Sequence, residues 1–336
     1  DVGPALLRSL EAHARPMYDV MLAAGQSTER RLRGHGNAVA MPYNHVILPL
    51  ASRRDKVTEI RWGLADFRRR FGRDSEGFWL PETAVDEETL VVLAEEGIRF
   101  TILAPHQLEN PGTTGEPLDF AAGGGREIAV FPYDGAIAND AAFGPLLENG
   151  AELARRLAPP AAGKGAARRA PRVVSLALDG ETFGHHRKFA EMALATAVST
   201  LRSGRAGHFE NYASVLARVP PREKARLVDP SSWSCAHGIE RWRSDCACGT
   251  VPGTSHAWRR PLRGALNWLA REIDARFETE AATLFDDPWT VRDALGGVAG
   301  SPADRREAVA TSSVRVTTDA ARALQLLDAQ RARLAM

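Results

Sequence analysis

Between residues 55 and 104 the chain runs through helix, strand, helix and strand patterns, and that rhythm narrows the available folds more than any other feature. Over 55–71, Val57, Ile60, Leu64, Phe67 and Phe71 recur at spacings of three and four. Lys, Arg and Glu occupy the other face, which makes an amphipathic helix that Gly72 can end. Gly77-Phe78-Trp79-Leu80 follows as a strand-length apolar run, stopped by Pro81, which has no N–H for a ladder bond. Asp86 is placed to cap a second helix carrying Leu90, Val91 and Leu93 and ending at Gly97, after which 98–104 reads as a buried strand. Successive units of this kind need right-handed crossovers and therefore a parallel sheet covered by helices.

The rhythm continues less regularly, with strands expected over 127–131 and 172–178 and helices over 141–157 and 189–202. Gly123-Gly124-Gly125 and the Pro/Ala/Gly/Arg stretch 159–171 read as loops. The glycines lack both a following Lys-Ser/Thr and dinucleotide spacing, which argues against a phosphate cradle. After Gly204 no further strand is expected, only helices over 259–277 and 318–334. The expected organisation is an α/β part, 1–204, followed by a mostly helical part, 205–336, with a loop rich in Cys, His and Trp. Lys and Arg total 43 against 42 Asp and Glu in 336 residues, so nothing in bulk draws the chain to nucleic acid or an anionic membrane. No apolar run is long enough to span a bilayer. With three cysteines, Cys235, Cys246 and Cys248, there is no disulfide framework, and a cytoplasmic location is the simplest expectation.

Two carboxylate motifs each follow an apolar strand: Trp79-Leu80-Pro81-Glu82-Thr83, and Ser175-Leu176-Ala177-Leu178-Asp179-Gly180-Glu181. The carboxyl ends of parallel strands surround one crevice, so Glu82 and Asp179 could face each other there. Such a pair suits acetal chemistry. The plainer reading is that Glu82 begins a turn and Asp179 caps the next helix. Glu181, His185 and His186 sit directly beside Asp179, where they could bind sugar, tune the acid or ligate a metal. Upstream, Gly34-His35-Gly36-Asn37 and Tyr43-Asn44-His45 add polar groups, and His45 is either a pocket residue or a satisfied interior imidazole.

At these residues the sequence resembles the glycoside hydrolase family 57 superfamily. Phe78-Trp79-Leu80-Pro81-Glu82 looks like its third signature region, whose Glu is the nucleophile. Asp179-Gly180-Glu181-Thr182-Phe183-Gly184-His185 looks like the fourth, whose Asp is the general acid/base, and Tyr43-Asn44-His45 with Leu48-Pro49-Leu50 is similar to the second. A little-characterised branch is the nearer resemblance, through 34–38, 179–186 and 233–242. The family implies an incomplete (β/α)7 barrel followed by a helical domain, a carbohydrate substrate and no required cofactor. It implies a retaining hydrolase or transglycosylase acting on α-glucans, whose two carboxyl groups lie about 5–5.5 Å apart. His35, His45, Trp79, Glu181, His185, His186, Trp233 and Trp242 would bind substrate, the indoles by stacking on sugar C–H faces. The family's first region, a His-Gln-Pro-like strand, has no counterpart here, so the resemblance also implies a chain that lacks the first barrel strand.

One constellation stands outside the resemblance. Cys235-Ala236-His237 and Cys246-Ala247-Cys248 offer four soft ligands, enough for a tetrahedral Cys3His zinc site. The spacing departs from the usual two-residue gaps, and a reduced structural cluster, a redox-labile pair or a cleft-lining loop would use the same residues. Two further readings stand beside the glycosidase. A metal-dependent carbohydrate deacetylase would use Asp179, His185 and His186 as ligands but leaves Glu82 without a task. A non-catalytic glycan-binding protein would keep the barrel alone.

Overall fold

Ser52 starts the first expected helix, α3 (Arg53–Phe71): its side chain accepts from Asp55 N, and Gly72 closes the helix in the left-handed region at φ 67°. The computed structural model describes residues 1–112, 115–158, 173–204, 208–248, 251, 253–294 and 320–336. The expected loop 159–171 falls outside them, as do residues 172, 318 and 319 at the ends of expected elements.

Two helices, α1 (Pro4–His13) and α2 (Arg15–Arg31), precede α3. Then come β1 (Gly77–Phe78), α4 (Glu87–Glu95), β2 (Phe100–Leu103), β3 (Leu118–Gly123) and β4 (Arg126–Pro132). Asp86 caps α4 as expected, accepting from Thr89 N at 2.8 Å. The sheet has the order β1-β2-β4-β3, with β1, β2 and β4 parallel and β3 antiparallel to β4. Beyond β1, Ala40 adds a parallel bridge to Phe78. Beyond β4, Asp134 N donates to Ser175 O at 2.7 Å. The parallel members thus run 40, β1, β2, β4 in spatial as well as chain order, as right-handed crossovers produce, and 175 lies next to the end of β4.

Side-chain parity along these strands decides what faces what. Phe78, Leu80, Leu103, Ile128 and Val130 pack with Ile60, Phe67, Leu90 and Leu93 in the layer that joins the sheet to α3 and α4. Trp79, Phe100, Ile102, Ala129, Phe131 and Tyr133 go to the opposite face, where Leu176, Leu178, Tyr212 and Trp233 meet them. That second face carries the site.

Three expectations need correction. Residues 141–157 do not form one helix: α5 (Gly135–Phe143) and α6 (Gly150–Leu157) are separated by a tight turn over Leu146–Glu148. Gly144 precedes Pro145, whose ring disfavours helical geometry in the residue before it, and Asn149 restarts the helix by accepting from Ala151 N and Glu152 N. Residues 173–178 form no ladder beyond the one bond at Ser175. The polar face of α3 is only partly solvated: Arg53, Arg54, Arg61, Arg68 and Arg69 are exposed, but Lys56, Glu59, Asp66 and Arg70 are buried.

α7 (Ala190–Ser203) and α8 (Tyr212–Arg218) come next. α9 (Arg259–Ala281), α10 (Pro288–Ala294) and α11 (Ala320–Leu334) follow, joined by Phe277, Phe285, Val291, Leu326 and Leu327. Among the described residues no helix is long and apolar enough to cross a membrane.

Glu59 shows what the buried polar layer does to stability. Its carboxyl accepts from Asn44 N and from Asn44 Nδ2, both at 2.8 Å, yet burial outweighs these bonds and pushes it up to about 7. The folded chain therefore holds this proton across a pH range in which the unfolded chain releases it. Its contribution is favourable below about 4.5 and is lost as pH rises to about 7, on the order of 3 kcal/mol at most. Chemical denaturation of Glu59→Gln from pH 4.5 to 7.5 should show a flatter stability profile than the parent; parallel profiles would contradict this account.

Candidate active site

The turn after β1 presents Glu82. Pro81–Thr83 form a single tight turn in which Glu82 sits at φ 58°, ψ 17° and Thr83 at φ 48°, both left-handed. A side-chain-bearing residue in that region costs roughly 1–3 kcal/mol and needs its surroundings to hold it. Here Trp233 N donates to Glu82 O at 3.1 Å, and the buried Gln107 donates from Nε2 to Thr83 O at 2.7 Å. Gln107 also reaches Ser231 Oγ at 3.2 Å and accepts from Ala104 N at 3.0 Å. It therefore ties the loops after β1 and β2 to the segment around Trp233.

That segment supplies the most direct contact to the acid: the indole Nε1 of Trp233 donates to Glu82 Oε2 at 3.1 Å. The ring lies edge-on to Trp79, centroids 5.4 Å apart, and 6.4 Å from the ring of Tyr133. His106, in the turn after β2, donates from Nε2–H to the Ser232 carbonyl at 3.1 Å, which fixes a proton on that nitrogen.

Asp179 follows the 173–178 segment at the same end of the sheet. The residue is exposed, yet its carboxyl is partly withdrawn from water and is held above the usual carboxylate range. Burial is the leading cause, then the charges of Glu82 and Glu181; His186 and His45 act in the opposite direction. Five expected site residues, Glu82, Asp179, Glu181, His186 and His45, thus share one electrostatic neighbourhood although His45 and His186 are 141 positions apart. His45 is brought there by Asn44, fastened to Glu59. The ring of His185 lies 5.0 Å from that of His186, tilted by 56°, and His186 also borders a cleft of about 570 Å³ with Phe189 and Met192.

Two expected residues are placed elsewhere. His35 bonds through Nδ1 to Glu76 at 2.9 Å, before the N-terminal end of β1, whereas Glu82 follows its C-terminal end. Trp242 lines a cleft of about 270 Å³ with Arg241, Trp258 and Leu262. Sequence reading missed Gln107, His106, Thr83 and Tyr133. Only Tyr133 had a visible signal, being an aromatic at a strand's carboxyl end. Among the described residues the group of His, Cys, Asp or Glu side chains close enough to share one ion is Cys235, His237, Cys246 and Cys248. Asp179, His185 and His186 do not form such a group.

Comparison with known proteins agrees with this geometry. Residues 31–227 match the model of glycosyl hydrolase family 57, and residues 255–336 match a domain of unknown function (DUF3536). Over 105 residues the chain is 29% identical to the 4-alpha-glucanotransferase of Thermococcus litoralis, covering 30% of this chain and 16% of the relative. The crystal structure of an exo-type maltose-forming amylase from Pyrococcus sp. ST04 superposes with a TM-score of 0.73 at 15% identity, over 99% of this chain and 60% of that one. A branching enzyme from Pyrococcus horikoshii superposes with a TM-score of 0.59 at 15% identity, over 97% of this chain and 74% of that one. The chain thus spans only part of the relatives it matches. These likenesses carry the architecture, and the arc of strands with its trailing helices is the incomplete (β/α)7 barrel followed by a helical region. With the family model covering more than half of its length and Glu82 and Asp179 falling inside the match, the chain belongs to glycosyl hydrolase family 57.

Proposed function

We propose that the chain carries the catalytic site of a retaining glycoside hydrolase or transglycosylase acting on α-glucans, with Glu82 as nucleophile and Asp179 as general acid/base. The observation that supports it most directly is that Glu82 and Asp179 stand at the same end of the sheet, close enough for the Glu82 charge to push the Asp179 carboxyl up. A carboxyl raised above the usual range beside one that accepts a hydrogen bond is the asymmetry that acetal cleavage needs. The names of the relatives, a glucanotransferase, an amylase and a branching enzyme, supply the substrate class.

In this reading Glu82 attacks the anomeric carbon while Asp179 protonates the departing glycosidic oxygen. Asp179 then takes a proton from water or a sugar hydroxyl as the glycosyl–Glu82 ester is broken. The Trp233 indole N–H fixes one carboxylate oxygen of Glu82 and leaves the other to react. Trp79, Trp233 and Tyr133 offer ring surface to the sugar. The Asp179, His185 and His186 arrangement does not favour metal-dependent deacetylation, since these side chains do not converge on one ion position.

Proton NMR of the first products released from maltooligosaccharides tests the proposal. The α-anomer should appear first, and initial β-anomer would replace retention by inversion. Binding of maltooligosaccharides without any product would favour a carbohydrate-binding protein. The Glu181 charge gives a second test. It contributes to the raised Asp179 carboxyl, so Glu181→Gln should move the alkaline limb of the kcat/KM profile to lower pH. An unmoved limb would take Asp179 out of the acid role.

A further inference from the structure

We propose that Cys235, His237, Cys246 and Cys248 form a structural zinc site of Cys3His type, closed by its four protein ligands and separate from the carboxylate pair. The ligand atoms all lie within 4.8 Å of one another. Cys235 Sγ is 4.0 Å from Cys246 Sγ and 3.8 Å from Cys248 Sγ, while His237 Nδ1 is 3.3 Å from Cys248 Sγ. A disulfide brings sulfurs to about 2.05 Å, so none of these sulfur pairs is a bond. Ligands at the corners of a tetrahedron around zinc, with Zn–S near 2.3 Å and Zn–N near 2.0–2.1 Å, place sulfurs about 3.8 Å apart and nitrogen about 3.5 Å from sulfur. Three of the six edges, at 3.3, 3.8 and 4.0 Å, come close to that tetrahedron, and the remaining ones stay within 4.8 Å.

The backbone removes the objection raised by the short spacing. In an extended Cys-x-Cys, the two residues share a face with their Cα atoms about 6.5–7 Å apart, so both side chains must lean toward each other to reach one ion. Ala247 instead takes φ 57°, and the chain folds back so that Cys246 and Cys248 face the same point. On the other arm, Gly238 N donates to Cys235 O at 3.2 Å, and Gly238 sits at φ 76°. Any Cβ there would meet Pro230 O at 2.5 Å, so this turn, which carries His237, demands glycine. Two irregular turns are thus spent bringing four soft donors together, with Cys235 and Cys246 buried and His237 at the surface. Soft thiolates with one imidazole select zinc over the hard divalent cations. With four protein ligands there is no open position for a reactive water, which makes the site structural. Its place explains its use, because Cys235 lies two residues after Trp233, whose backbone and indole both bond to Glu82.

The site stands independently of the glycosidase reading, and its test needs no substrate. Elemental analysis of the chain purified without chelator should find about one zinc per molecule. Replacement by cobalt should give the visible bands of tetrahedral coordination together with thiolate charge transfer. Cys246→Ser and Cys248→Ser should each lower bound metal at least tenfold, whereas His237→Cys should keep one equivalent and strengthen the charge-transfer band. If the serine variants fail to fold, the parent still decides: its three thiols should resist alkylation with zinc bound and react once it is chelated. Metal far below stoichiometric after incubation with zinc, alkylation rates indifferent to zinc, or a Cys–Cys disulfide in the freshly purified chain would each overturn the proposal.

Discussion

Glu82→Gln is expected to reduce α-glucan turnover by about four orders of magnitude or more while leaving the fold intact. The amide has nearly the volume of the acid, and its oxygen can still accept from the Trp233 indole, so unfolding free energy should stay within about 1 kcal/mol of the parent. Loss of the carboxylate removes the only group proposed to bond to the anomeric carbon. A second variant separates a nucleophile from a mere electrostatic stabiliser. Glu82→Gly suits the φ of 58° at this position, and the space it opens admits azide. Azide entering from the side of the missing carboxylate should restore cleavage of an activated aryl α-glucoside and yield the β-glycosyl azide. Asp179→Asn should behave differently, losing most activity on maltooligosaccharides but much less on an aryl glycoside whose leaving group needs no proton. Unchanged glucan cleavage by Glu82→Gln, or azide product of α configuration, would remove Glu82 from the nucleophile role.

Legibility in the sequence followed the range of the interaction. The helix α3, the cap at Asp86 and the strands at 77–78, 100–103 and 126–132 are written in local periods of 3.6 and 2, with Gly72 and Pro81 as punctuation. Once those strands are parallel, their carboxyl ends converge, so the joint placement of Glu82 and Asp179 could be argued before any coordinate. The hairpin strand β3 was also within reach: Leu118, Phe120 and Ala122 alternate inward, and the glycines at 123–125 make its turn. Reading the glycines simply as a loop, without the phosphate-cradle spacing, leaves that alternation unused. His35 shows the limit of a polar motif, since Gly-His-Gly-Asn beside a strand reads the same at either end, and here it meets Glu76.

What local pattern does not carry is the partner of a polar group far along the chain. Trp233 and Glu82 are 151 positions apart, and nothing in either neighbourhood names the other. Gln107 occupies an unremarkable Pro-His-Gln turn and gains its role from carbonyls and hydroxyls supplied by the loops at 83 and 231. Part of the charged face of α3 is covered for the same reason. Lys56 is 1% exposed because Asp86 and Glu88 of the next unit take its ammonium, and Arg70 is covered by Tyr18 and Glu11 of the preceding helices. A periodic charged stripe implies solvent only when no other element is available to cover it.

Arg292→Leu is expected to destabilise the chain by about 3–5 kcal/mol, the cost of breaking a buried ion pair from one side. Arg292 is 0% exposed, and its guanidinium donates from Nη1 to Asp55 Oδ1 and Gln330 Oε1, both at 3.1 Å. From Nη2 it donates to Thr58 Oγ1 at 2.6 Å and Arg54 O at 3.2 Å. One planar fork on α10 thus joins α3 of the α/β part to α11 of the helical part. Asp55 also meets Arg333 of α11 at 2.7 Å, so the leucine variant leaves a buried carboxylate with one of its two cations and strands several acceptors. Leucine fills much of the volume, which makes the loss electrostatic rather than a cavity effect. Arg292→Lys keeps the charge but cannot reach four acceptors spread over two nitrogens, and it should recover less than half of the loss. Because the contacts cross between the two parts, urea unfolding of the variant should lose the helical part first, with a lowered m-value or a second transition. A change below about 1 kcal/mol with a single unaltered transition would mean that this buried network sets the register of the two parts without holding them together.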